Sequence, residues 1–495
     1  MIEQLYFALP MMSVVIGAFV LMLLSNSTKI SLHTFNLIAV FFLSISFITE
    51  YLTLSNYTTT YLFEDIFGHT FILDDFASIF DMMFTAGAIF TLLVNNDYFK
   101  SRTYFSGEYF ALILFSVFGM MMLSHAHELL SAFIALEIAS LSVYTLVGFH
   151  KNKGISSEAM MKYMVLGSMT GAFFILGTAL IYAAVGSTTL DDISLYVNSS
   201  NMEDMTLLVV GATFIMVTIM FKIGAVPFHS WIVDVYHGAP YPITMFMAST
   251  FKIAIFAIAL RLYIVNFASI NGFWTEILQV LTILTLIGGS WLAISQTLVK
   301  RMLAGSSIVH SGYLLIGLSS IGLDSQFAAS SIMFYLIAYF ISAVGSFGVL
   351  SFIASKSRKQ MSYEDFKGFA QQRPYIALMM SIFMLSLAGF PSTIGFLGKF
   401  YIFTSAIESG QFFLTGLGIL TAFISVYYYF KLIAMMYFYP SKSPQKKFPI
   451  DISTIIIVIM ALLVIWGGIG TSLIPFVPGA DGFIDIARSA ILSLS

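Results

Sequence analysis

Cysteine is missing altogether from the 495 residues. That excludes disulfides, thiolate-ligated iron–sulfur clusters and a catalytic thiol. Charge is scarce as well: 9% of residues are Asp, Glu, Lys or Arg, against about 25% in a soluble protein. No Gly-rich dinucleotide fingerprint follows a strand pattern and no haem-attachment motif occurs, so any redox chemistry near this chain is carried by another. The net charge of −3 gives no reason to expect nucleic acid as a partner. What is present is apolar: 59% hydrophobic residues and a mean hydropathy of +0.92. The fold class this implies is an all-α polytopic membrane protein with little soluble mass. The opening stretch MIEQLYFALPMMSVVIGAFVLMLL lacks a basic n-region and an A-x-A cleavage site, and reads as a retained membrane span rather than a signal peptide.

Apolar runs of about 20 residues are spanning candidates. Fourteen are expected, at about 5–24, 33–54, 73–95, 106–124, 128–149, 158–184, 205–233, 240–264, 272–297, 302–323, 327–354, 374–406, 411–437 and 450–474. Counting Lys and Arg on alternate sides tests the number, because cytoplasmic loops carry the excess. One side holds Lys29, Lys100, Arg102, Lys151, Lys153, Lys300, Arg301, Lys356, Arg358, Lys359, Lys367, Arg373, Lys442, Lys446 and Lys447. The other holds Arg261 and Arg488. An odd number of spans would scramble that asymmetry. The basic face is therefore read as cytoplasmic, and both termini as lying on the far face of a bacterial inner membrane.

Two spans are interrupted. The seventh breaks at KIGAVPF and the twelfth at AGFPSTIGFLGKF, where proline and glycine disrupt helical hydrogen bonding. The breaks lie five spans apart, as two inverted five-span repeats would place them. The expected division of one membrane domain, 1–495, is spans one to three at about 5–95, repeat one at about 106–264, repeat two at about 272–437 and span fourteen at about 450–474.

Ionisable residues inside these runs are the candidate functional groups, since each costs roughly 2.5–3.5 kcal/mol on insertion scales. Glu137 lies mid-span in the fifth run, and a lysine from a neighbouring helix, Lys222, is its expected partner. Lys222 precedes the first break, Lys252 lies mid-span in the eighth run and Lys399 follows the second break. A lysine whose carboxylate partner approaches or retreats switches its proton affinity, which suits a proton relay. The bland alternatives are interhelical polar contacts and side chains snorkelling to the interface. Lys162 and Lys431 lie near basic-face span ends, where snorkelling fits Lys431 best and stands level with a functional role for Lys162. His229 and His310 lie within or beside spans and can relay protons near neutral pH; hydrogen-bonded packing is the alternative. GFLGKF contains Gly-Lys but not the G-x-x-x-x-G-K-[ST] pattern after a strand, so nucleotide binding is dismissed. HAHE at 125–128 falls in a short far-face turn and is not read as a metal site, and Asp81 nearby is read as solvated. No metal or cofactor is expected in this chain.

The stretch FKIGAVPFHSWIVDVYHGAPYPITMFMASTFKIAIF, from Phe221, resembles the antiporter-like membrane subunits of respiratory complex I. EAMMKYMVLGSMTGAFFILGTALIYAAVGST, RMLAGSSIVHSGYLLIGL and GFPSTIGFLGKFYIF match the same family in order, over roughly residues 100–437. DVYHGAP, Asp234 to Pro240, and lysine at 252 resemble its subunit N branch. The resemblance implies that Glu137 is the family's fifth-span glutamate and that Lys162, Lys222, Lys252 and Lys399 are its lysines of spans six, seven, eight and twelve. It implies two inverted five-span repeats, membrane neighbours on both flanks, and flavin, iron–sulfur clusters and quinone held by partner subunits. The expected function is proton translocation coupled to quinone reduction elsewhere in the assembly. A subunit of a multisubunit sodium/proton antiporter or of a membrane-bound hydrogenase, and a scaffold that only holds neighbours apart, are the alternatives.

Overall fold

Backbone groups crossing hydrocarbon have no water to bond, so a spanning run has to satisfy its own N–H and C=O groups. The computed structural model does so with helices. It describes residues 2–27, 30–56, 61–62, 70–199, 205–267, 271–322, 326–356, 361–441, 451–469 and 478–494. Lys29, Arg358, Lys359, Lys442, Lys446 and Lys447, used in the orientation count, lie outside the described residues.

Among the described residues thirteen helices are long and apolar enough to cross a membrane. Spans one to six are Ile2–Ser25, Leu32–Asn56, Asp75–Val94, Gly107–Ser124, Leu129–Val147 and Gly154–Val185. Span seven, Thr206–Ile223, resumes after its break as Ile232–Gly238. Spans eight to eleven are Tyr241–Asn266, Asn271–Ser295, Val299–Ser319 and Gln326–Lys356. The twelfth is two half-helices, Pro374–Ala388 and Ile394–Glu408, and Phe412–Phe438 and Ile452–Ile469 complete the expected fourteen.

Spans eight, ten and eleven form the centre. The most apolar window of each is 100% buried, against 33% for span one. Span ten is rich in serine and glycine, residues that pack inside a bundle rather than against lipid. A Cβ at Gly305 would sit 2.7 Å from the Ala293 backbone nitrogen, so spans nine and ten meet backbone to backbone. The periphery turns Phe19, Leu23, Trp291, Phe412 and Phe438 outward, an apolar belt suited to lipid or neighbouring chains.

Both breaks use the same stop. Gly224 (φ 72°) and Gly389 (φ 84°) adopt the left-handed conformation that glycine accepts without strain. The residue after each glycine bonds back into the last turn, Ala225 to Met220 O and Phe390 to Leu385 O, both at 2.9 Å. Among the short helices that went unforeseen, the two longest are Leu190–Ser199, burying Leu190, Ile193 and Val197, and Ala480–Leu492 on the same far face. Their apolar residues recur every three to four positions, a signal present in the sequence but too short to span.

Arg261 is one of the charges whose expected place is overturned. It belongs to span eight rather than a far-face loop, is 2% exposed, and forms a two-pronged pair with Asp74 at 2.8 and 3.0 Å. A planar guanidinium buried with a matching carboxylate is stable where a lone one is not.

Candidate functional site

Lys222 ends the first half of span seven, where Gly224 stops the helix. Its ammonium donates to Ser140 Oγ at 2.7 Å and Tyr144 OH at 2.8 Å and lies over the Tyr144 ring, 5.1 Å from its centroid. Glu137 is one turn along the same face of span five. It packs against Gly171 of span six, and its Oε1 has no hydrogen-bond partner among the described residues. The two charges are near enough to feel each other, yet no ion pair joins them: hydroxyls hold the lysine in place of the expected carboxylate.

The break frees backbone carbonyls, and neighbours fill them. Trp231 Nε1 donates to Phe221 O at 2.9 Å, and Ser311 Oγ of span ten donates to Ile223 O at 2.8 Å. Ser311 Oγ also accepts from Lys252 Nζ at 2.9 Å, so one hydroxyl links the first break to the next lysine. Lys252 places its remaining donors on Ser307 O and Ser307 Oγ, both at 2.6 Å. Its three N–H bonds thus have three acceptors. A π-helical turn, Met247–Phe251, immediately precedes it; such bulges are frequent at functional sites.

From Ser307 the row continues along span ten. Tyr339 OH donates to Ser307 Oγ at 2.9 Å. His310 lies 2.5 Å (Nδ1) from Tyr335 OH and 3.1 Å (Nε2) from Tyr429 OH, and Tyr429 pairs with Ser306. Lys399 reaches back across the second break to donate to Leu387 O and Ala388 O, both at 2.9 Å, beside the Tyr313 ring. A cation at these last carbonyls meets the negative end of the half-helix dipole. Lys222, Lys252, His310 and Lys399 are each at most 5% exposed.

Two sequence candidates stay outside the row. Lys162 is at the surface, paired with Glu158 at 2.8 Å and with Asp234 at 3.0 Å, which also binds Arg301 at 3.2 Å. His229 sits half-buried in the first break; among the described residues its Nδ1 has no hydrogen-bond partner and no bond of the row reaches it. Conversely, Tyr144, Ser311, Tyr335, Tyr339 and Tyr429 join the row unannounced. The i, i+4 pairs Ser307/Ser311 and Tyr335/Tyr339 were the available signal. Lys300, counted as a loop residue, is buried: it donates to Ala239 O at 2.6 Å and stacks over Tyr241.

Polar cavities lie at both ends. On the basic face one of about 400 Å³ is lined by Arg102, His150, Lys153, His237, Tyr241 and Lys300. Burial, then Lys153 and Arg102, hold the His150 imidazole below its ordinary value, a mark of the positive potential there. On the far face one of about 470 Å³ is lined by Thr275, Ser319, Ser405, Glu408 and Gln411, at the ends of spans nine to twelve.

Comparison with known proteins sharpens this arrangement. Residues 126–425 match the family described as NADH:quinone oxidoreductase/Mrp antiporter, transmembrane. The chain is 39% identical over 376 residues to NADH-quinone oxidoreductase subunit N of Trichlorobacter lovleyi, covering 76% of this chain and 77% of that one. A chain of respiratory complex I from Thermus thermophilus superposes with a TM-score of 0.78 at 27% identity, covering 93% and 96% of the two chains. A chain of the archaeal membrane-bound sulfane sulfur reductase superposes with 0.86 at 24% identity, over 99% and 98%, a likeness of fold alone.

Proposed function

The chain belongs to the NADH:quinone oxidoreductase/Mrp antiporter transmembrane family, on its complex I subunit N branch, and on that premise we propose that Lys222, Lys252, His310 and Lys399 are successive stations of one proton path. As a subunit N it is a proton-translocating membrane component of complex I. The observation that carries the path is the placement of span ten. Its Ser307 and Ser311 hold Lys252, Ser311 also bonds the Ile223 carbonyl next to Lys222, and His310 lies near enough to Lys252 and Lys399 for their charges to act on it, between cavities on opposite faces.

Protons load from the basic face, where His237 and Lys300 line the cavity. Hydroxyls both donate and accept, so Ser311, Ser307 and the tyrosines pass a proton that a lysine releases. Lys399 delivers toward the far-face cavity, which its own half-helix helps to line through Ser405 and Glu408. Each charge moved against 100 mV costs about 2.3 kcal/mol, so an ungated row would short-circuit the membrane. Glu137 supplies the gate: swinging the Lys222 ammonium from Ser140 and Tyr144 onto the unpartnered Glu137 carboxylate holds its proton, and returning it releases the proton. The identical caps at Gly224 and Gly389 support reading spans four to eight and nine to thirteen as inverted repeats. Lys162, with Asp234 and Arg301, serves at the lateral surface. Flavin, iron–sulfur clusters and quinone belong to partner subunits, the chain having no thiol ligand.

Replacing Lys222→Ala tests the assignment. NADH-driven proton uptake by inverted vesicles should fall several-fold while the complex remains assembled on native gels. Unchanged uptake would refute it. Uptake should also be the same in sodium-free buffer, since a row of lysines repels a metal cation.

A further inference from the structure

Away from the lysine row, three buried titratable side chains meet near the far face. Glu50 comes from span two, Asp81 from span three and His125 from the turn after span four. They are 2%, 0% and 1% exposed, and one ligand-type atom from each lies within 4.8 Å of the others. The sequence reading had Asp81 solvated and the HAHE histidines without a metal role. The structure buries Asp81 and His125 together, with Glu50 from a distant part of the chain, while His127 turns away to Asp191 at 3.0 Å. We propose that Glu50, Asp81 and His125 bind one divalent transition-metal cation, zinc being the ion their donors suit best.

Four observations converge. His125 Nδ1 is 2.7 Å from Ile72 O; a carbonyl only accepts, so Nδ1 carries a hydrogen and Nε2 is the nitrogen left to give its lone pair to a metal that displaces any proton there. Ligating histidines are oriented in this way by a backbone carbonyl on the other nitrogen. Nε2 faces Asp81 Oδ2 at 3.1 Å, close to the roughly 3.3 Å edge of a tetrahedron whose centre lies about 2.0–2.1 Å from nitrogen and oxygen ligands. Ser124 Oγ donates to the other Asp81 oxygen at 2.6 Å, which fixes the carboxylate with Oδ2 inward. Finally, Glu50 Oε1 is buried with no hydrogen-bond partner among the described residues, an acceptor held ready in a place where burial without a partner is costly.

Charge points the same way. Two carboxylates and a neutral imidazole balance a dication, which a site beneath the far-face surface requires. Calcium and magnesium favour six or more oxygen ligands; three protein donors including one nitrogen fit zinc, with a fourth position for water or the Ser78 hydroxyl beside Glu50. The site ties together the far-face ends of spans two, three and four, beneath the Phe71–Ala126 bridge.

The test uses the assembled membrane complex, stripped with a chelator and dialysed against limiting zinc-65. Wild type should retain one zinc per complex more than Asp81→Asn or Glu50→Gln, and chelation should lower the melting temperature of wild type but not of either variant. Should those variants fail to assemble, zinc-edge X-ray absorption of the reloaded wild type, compared with His125→Gln, decides: loss of a single imidazole from a nitrogen–oxygen shell supports the site. Equal zinc in wild type and variants overturns it. So does a protonated-carboxyl infrared band in zinc-free and zinc-loaded wild type alike that Glu50→Gln abolishes, which would make the cluster a proton-sharing triad.

Discussion

The Lys252 ammonium has each of its three donors met, by Ser307 O, Ser307 Oγ and Ser311 Oγ. Charge alone would be served by arginine, but a guanidinium is never deprotonated in proteins, whereas a relay station has to give up its proton. Lys252→Arg is therefore expected to assemble and yet lose most proton uptake; a variant that pumps normally would reduce Lys252 to a fixed charge. Asp74 belongs to the structural charges. Asp74→Ala leaves the Arg261 guanidinium buried and unpaired, at a cost of about 3–5 kcal/mol, so assembled complex should become scarce, and adding Arg261→Met should restore much of it. Lysines in an apolar run declare themselves in the sequence, because nothing else there bears charge. Of their hydroxyl partners only Ser307, close to His310 in the sequence, was legible: serine and tyrosine are common in spans, and only the packing of span ten against its neighbours singles out Ser311, Tyr339 and Tyr429. Arg261 was misjudged because it lies close to the end of its span, at about 264, and was counted with the far-face charges; only its pairing with Asp74 shows that it stays in the core.

Each interrupted span is an element with a chemical purpose: stopping a helix inside the bundle leaves carbonyls that a lysine or a hydroxyl can occupy. Gly389→Ala tests this. The left-handed backbone at Gly389 costs about 1–2 kcal/mol for an L-residue, and the new Cβ would lie 2.9 Å from Lys399 Cδ, displacing the ammonium. Gly410→Ala is the control, with a similar φ of 75° and nothing within 4 Å of the added Cβ. Both variants should melt lower, and only Gly389→Ala should lose proton uptake. Equal uptake in the two would separate Lys399 from the path. The breaks were legible because glycine and proline punctuate any helix pattern. The π-helical turn before Lys252 was not, since MASTF carries no breaker and the extra residue per turn arises from how span eight packs.

At the scale of the whole molecule, the loops of both breaks reach the surface: Pro227 and Ser230 in the first, and Phe390, Pro391 and Ser392 in the second, are exposed. Irregular backbone at membrane depth is tolerated only against protein or a wet cavity, so neighbouring subunits are expected over both loops. Without native cysteines, Ser230→Cys and Ser392→Cys are clean reporters. Each should react with a maleimide when the chain is made alone and be protected in the assembled complex; reactivity in the complex would leave that flank uncovered. The number of spans was readable from hydropathy, but which spans would be central was not: span ten is the least hydropathic of the thirteen while spans eight and eleven are in the middle of the range, so hydropathy does not pick out the three that form the core. The most direct test of a single serial path is proton uptake per NADH oxidised in vesicles carrying Lys222→Met, Lys399→Met or both. Stations in series predict a severe loss in each single variant and no further loss in the double; normal uptake in either single variant, or losses that multiply, would contradict it.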